Sequence, residues 1–131
     1  MLMSKQEEEK SLLRRSERFI TTAKFQLSRG FYDLAAFSLE QALQLFLKAK
    51  LLSCGVDYPR THSIRALLEM LQEVSSEEKR HTIRRLLDCY LMEFGVLEDA
   101  YITSRYVMRE FRIEEVERLA RVVEEVVKDL S

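Results

Sequence analysis

Three groups of side chains in this sequence could do chemistry. Gln41, Gln44 and Lys48 stand three and four residues apart, so a helix there sets them along one face. A cation beside two amides suits a phosphate next to a group that both donates and accepts hydrogen bonds. The same stripe, which also holds Asp33 and Glu40, could equally be the solvated edge of a mostly buried helix. His62 lies in the run Thr61-His62-Ser63-Ile64, just ahead of an apolar periodic segment. The open backbone N–H groups of a helix start suit a phosphate there. The helix dipole disfavours an imidazolium at that end, so a neutral ring donating to a backbone carbonyl and fixing the turn is the competing reading. The third group is YITSRY: Arg105 can grip a phosphate or carboxylate bidentately, and Tyr101 or Tyr106 can stack on a base. Tyr and Arg also suit a subunit interface, and an ion pair of Arg105 with Asp99 or Glu98 is the plainest alternative.

Nothing else reads as a reaction centre. Cys54 and Cys89 are isolated, with no C-x-x-C and no His at ligand spacing, so they read as partly buried free thiols and not as a zinc site. No Gly-rich phosphate loop, Ser/His/Asp arrangement or metal-ligand pair is recognisable. The expected catalytic residues, metal and cofactor are therefore none.

The elements that must hold these residues are helical. The organising stretch runs from Phe31 to Cys54, free of Gly and Pro and apolar in nearly every direction of a helical wheel, Leu34 included. A helix of that kind is buried, and the rest of the chain is expected to wrap around it. Before it, Lys5 to Ser28 repeats apolar residues at helical spacing, and Gly30 is placed to be a left-handed cap. After Gly55 and a turn fixed by Pro59, a third helix is expected over about His62–Glu73, capped by Thr61 or Ser63. A fourth is expected from a Ser75/Glu78 capping box to Phe94, burying Leu91 among others and stopping at Gly95. Residues Val96 to Arg109 have no clean period and are expected to form a loop or short helical turn. A last helix covers Phe111–Asp129, with Ile113 at the start of its apolar face. The predicted architecture is all-α: an up-and-down antiparallel bundle of four long helices plus a fifth shorter or irregular element, in one domain, 1–131.

Composition bounds the function. The 131 residues are 47% apolar and 33% charged, with three Gly and one Pro, which suits a compact helical domain. The net charge of −1 does not steer the molecule toward nucleic acid. No apolar run is long enough to cross a bilayer, and the first residues lack the apolar centre of a signal peptide, so a cytoplasmic protein is expected.

Ala36, Gln41, Ala42, Leu47, Lys48 and Ala49, then Thr61-His62-Ser63-Ile64, then Tyr101, Ser104, Arg105 and Tyr106 follow the order and spacing of the HEPN domain, which this chain resembles over roughly residues 10 to 128. Gln44 stands where that family often has Glu. The resemblance implies a HEPN-like bundle, a homodimer, and ligand contacts at Gln41, Gln44, Lys48, His62, Tyr101, Arg105 and Tyr106. Stand-alone prokaryotic members are often paired with a small nucleotidyltransferase in a toxin–antitoxin-like complex. The resemblance thus implies a non-catalytic module that binds a nucleotide, that partner, or both. Ribonuclease members carry Arg, four to six residues, then His, the His for acid–base chemistry and the Arg for the phosphate. Here the positions five to seven before His81 are Ser76, Ser75 and Val74, and those before His62 are Asp57, Val56 and Gly55. The motif is missing. A ribonuclease toxin with a displaced motif and a ligand-free structural adaptor are the alternatives.

Overall fold

The computed structural model describes residues 3–106 and 109–131, with the backbone alone for 103–106. Among these residues there are five α-helices: α1 (Lys5–Ser28), α2 (Tyr32–Ser53), α3 (Ile64–Val74), α4 (Glu77–Tyr106) and α5 (Ile113–Leu130).

Local chemistry sets most of the boundaries. Ser4 caps α1 by accepting the Glu7 N–H at 3.1 Å. The chain then stops α1 and α2 by the same device. Gly30 and Gly55 both sit at φ +79°. Phe31 N–H donates to Gln26 O (2.9 Å) and Gly30 N–H to Leu27 O (3.1 Å), while Val56 N–H donates to Leu51 O (3.1 Å) and Gly55 N–H to Leu52 O (2.9 Å). These are paired Schellman bonds, and only glycine takes the left-handed turn they need without strain. Ser63, the second of the two candidates, caps α3 by accepting from Ala66 N–H at 3.1 Å.

α4 departs from the sequence-based expectation in three ways. Its cap is Ser76, whose Oγ accepts from Lys79 N–H, while Ser75 turns inward and donates to Leu71 O at 2.6 Å. It does not stop at Gly95, and the span expected to be irregular continues as helix to Tyr106. Phe94, Leu97 and Ala100 are all fully buried at helical spacing, so packing carries the helix through a glycine that has no left-handed φ. The helix bends instead at Tyr90, which has non-helical angles (φ −123°, ψ 23°). That bend leaves Leu91, expected in the core, about half exposed. The short element of the bundle is therefore α3, not the 96–109 segment.

α2 is the core helix, as its composition predicts. Thirteen of its residues are buried, among them Leu39, Leu43, Phe46, Leu47 and Leu51. Leu34 and Ile113, expected on apolar faces, lie exposed at the ends of their helices. Both cysteines are exposed, not partly buried. α1 is locked against α2 by Ser16 Oγ donating to Ala42 O (2.7 Å) and Ser38 Oγ donating to Gln26 Oε1 (2.7 Å).

The order of cross-contacts gives the helix directions. Arg65 meets Glu98 and Arg84 meets Gln72, so α3 and α4 run antiparallel. Phe37 meets Tyr101 near one end of α2 and α4, while Gln44 meets His62 beside Glu98, so α2 and α4 are also antiparallel. α3 consequently runs parallel to α2, and the strict up-and-down order is broken there. The connection 54–63 climbs back along α2 instead of turning at its end. It is tied to the start of α1 by Tyr58 Oη donating to Glu8 Oε1 (2.6 Å) and by the Lys5–Asp57 pair (3.2 Å). That climb delivers His62 to the middle of the central helix.

Candidate ligand site

Successive i, i+4 positions of α2 carry Glu40, Gln44 and Lys48, and their side chains form one chain of hydrogen bonds. Lys48 Nζ donates to Gln44 Oε1 at 2.8 Å. Gln44 Nε2 donates to Glu40 Oε2 at 2.8 Å. Gln41 Nε2 takes the other carboxylate oxygen, Oε1, at 2.7 Å. The far side of Gln44 Nε2 lies 3.2 Å from His62 Nδ1. The His62 ring stacks on Tyr101 with centroids 3.9 Å apart and 20° between planes, and Tyr101 in turn stacks on Phe37 at 6.0 Å and 21°.

The ladder runs from the core to the surface. Glu40 is 0% and Gln44 4% exposed; Gln41, Lys48 and Tyr101 are half-buried, and His62 is exposed. Reading the stripe as a solvated edge therefore fails for its middle: α4 and the returning 54–63 segment cover Glu40 and Gln44. His62, for its part, is seated by a side-chain amide and an aromatic face.

Burial dominates the electrostatics. Taking the Glu40 carboxyl out of water pushes its pKa from an ordinary 4.5 to about 7; the amides of Gln44 and Gln41 and the Lys48 charge pull the other way and only partly offset it. Burial also lowers the Lys48 ammonium below its ordinary value, against the pull of Glu40. Lys48 additionally lies 5.4 Å over the Tyr58 ring. Tyr58 is held by its bond to Glu8, which together with burial raises the phenol to about 12.

The segment that carries His62 is fixed by Glu98 of α4. Glu98 Oε2 accepts from Arg65 N–H (3.1 Å), Arg65 Nε (3.0 Å) and Ser63 Oγ (3.4 Å), and Oε1 accepts from Arg65 Nη2 (2.9 Å). A carboxylate on the first-turn N–H of α3 also complements the helix dipole. Glu98, named in sequence as a possible mate for Arg105, is thus the clamp of α3.

Five of the seven candidates come together: Gln41, Gln44, Lys48, His62 and Tyr101. The side chains of Arg105 and Tyr106 lie outside the described residues. Sequence reasoning placed Glu40 in the polar stripe without singling it out, and left out Phe37 and Tyr58. Glu40 had a signal, the acid–amide–lysine run at i, i+4 and i+8; Phe37 and Tyr58 had none, because each gains its place from a contact distant in sequence. Among the described residues no group of three or more His, Cys, Asp and Glu is placed to hold a metal ion. No helix among them is long and apolar enough to cross a membrane.

A chemical summary of the site is a half-buried cation and two amides beside a stack of His and Tyr, over a buried acid. It offers donors to an anion and flat surfaces to a ring. The model of the HEPN domain matches residues 9–131 of this chain. Among curated proteins, none matches it significantly. Of solved structures, the crystal structure of TT1696 from Thermus thermophilus is similar over 93% of this chain and 94% of that one, with a TM-score of 0.73 and 23% identity. At that identity the likeness is one of fold.

Proposed function

The chain belongs to the HEPN domain family, and from that premise we propose that it is a non-catalytic module that binds a nucleotide and serves as the partner subunit of a small nucleotidyltransferase. The observation that carries this reading is the joining of Lys48, Gln44 and Gln41 with the His62–Tyr101 stack in one array. Lys48 is partly desolvated, with an amide oxygen and, farther along the ladder, a buried acid as its polar neighbours. A phosphate there would restore the charge balance that burial disturbs. The aromatic pair gives a base a surface beside it. The exposed Phe25, Phe31 and Leu34, which flank the α1–α2 turn in sequence, suit a protein interface, with a second copy or with the nucleotidyltransferase.

Isothermal titration of the protein with ATP and the other nucleoside triphosphates, with and without magnesium, tests the reading. The expected result is binding that Lys48→Ala weakens by about tenfold to a hundredfold, the equivalent of a charge-assisted hydrogen bond. Failure of every nucleotide to bind would sink the nucleotide part and leave the protein-partner role alone.

A further inference from the structure

Gln44 has its amide gripped from both ends. Its Oε1 accepts from the Lys48 ammonium, which has no acceptor to offer. Its Nε2 faces Glu40 Oε2 on one side and His62 Nδ1 on the other. Turning the amide over would set NH2 against an ammonium and a carbonyl oxygen against a carboxylate, two repulsions in place of two bonds. Protonation of Glu40 relieves only the second, so Lys48 holds the orientation in either charge state of the acid. An amide NH2 has two hydrogens; one goes to Glu40, and the other points at His62 Nδ1. That nitrogen must then be an acceptor without a proton, and the proton of a neutral imidazole is on Nε2.

From this geometry we infer that Gln44 is a positioning residue that fixes His62 as a neutral Nε2–H imidazole, so that the N–H with which this ring meets an oxygen, such as that of a phosphate or a base carbonyl, is the one on Nε2. The inference deepens the nucleotide-binding reading and rests on it for the ligand, but the state of the ring is a property of the free protein. Glu40 and Lys48 act through Gln44, and Gln44 acts through His62. A cationic imidazole is disfavoured because its Nδ1–H would meet the amide N–H head-on. The Tyr101 stack holds the ring plane, and the 3.2 Å contact with the amide sets which edge of the ring faces Gln44.

The test is a two-bond proton–nitrogen correlation spectrum of the full chain labelled with 15N-histidine, without ligand, at pH 8. His81 on the exposed face of α4 is the internal reference for a histidine in water. His62 is expected to show Nε2 protonated and Nδ1 bare, with a purer tautomer than His81. Gln44→Glu supplies an acceptor in place of the donor, and it should move the proton to Nδ1 or hold the ring as the cation. Gln44→Met removes the bond at similar volume, and should shift the His62 signals and mix the two tautomers. An Nδ1–H ring in the parent protein, or unchanged His62 signals in either folded variant, overturns the inference. The same spectra recorded with ATP separate the two readings. An intact tautomer with no response to any nucleotide would remove the ligand and keep the positioning role.

Discussion

Glu40→Gln should change how stability depends on pH, and the change can be sized. The buried carboxyl holds its proton to about pH 7, against 4.5 when exposed. The folded chain therefore binds this proton more tightly than the unfolded chain. Its contribution to stability is fully present below pH 4.5 and is lost as pH rises through 7, the reverse of an ordinary salt-bridged acid. At about 1.36 kcal/mol for each tenfold difference in proton affinity, the loss between about pH 4 and about pH 8 is about 3 kcal/mol. Glutamine keeps the shape and cannot ionise. It also exchanges one acceptor oxygen for a donor opposite Gln41 or Gln44, at a cost of about 1 kcal/mol that does not vary with pH. The quantity to measure is thus a difference of differences. Urea unfolding of both proteins at about pH 4 and about pH 8 should show the variant gaining about 3 kcal/mol on the parent over that range. With an m-value of about 2 kcal/mol/M, this is a relative midpoint shift of about 1.5 M. Curves that stay parallel across the range would refute the claim that burial of Glu40 governs its titration.

Two further outcomes follow from the packing. Leu43→Ala, at a fully buried position in the middle of α2, should cost about 3–4 kcal/mol in urea unfolding, because the surrounding helices are held by their own contacts and cannot close the void. Glu98→Gln breaks the two-oxygen grip on Arg65 and the first turn of α3; with the Arg65 side chain 44% exposed, the expected loss is about 1 kcal/mol, read as a fall in thermal midpoint with faster amide exchange over residues 62–66.

The sequence by itself determined that the chain is helical, that α2 is the central element, and where α1 and α2 end. Those facts are local. Apolar residues recur at a period that only a helix can bury, and glycines at 30 and 55 accept a turn that other residues resist. The sequence also placed Gln41, Gln44 and Lys48 on one face, since spacing alone does that. Tertiary structure decided the rest. Gly95 reads locally as a stop, yet the burial of Phe94, Leu97 and Ala100 outweighs a cost of about 1 kcal/mol for glycine inside a helix. The polar stripe reads as a wet edge, yet the returning 54–63 segment and α4 cover its centre, and that covering turns Glu40 from an ordinary surface acid into one that titrates near neutrality. His62 reads as a residue at a helix start; only the climb of the chain back along α2 brings its ring to Gln44 and Tyr101. Hydrophobic period is written in neighbours along the chain. The charge state of a buried acid and the protonated face of a histidine are set by neighbours across it, and those exist only once the helices have packed.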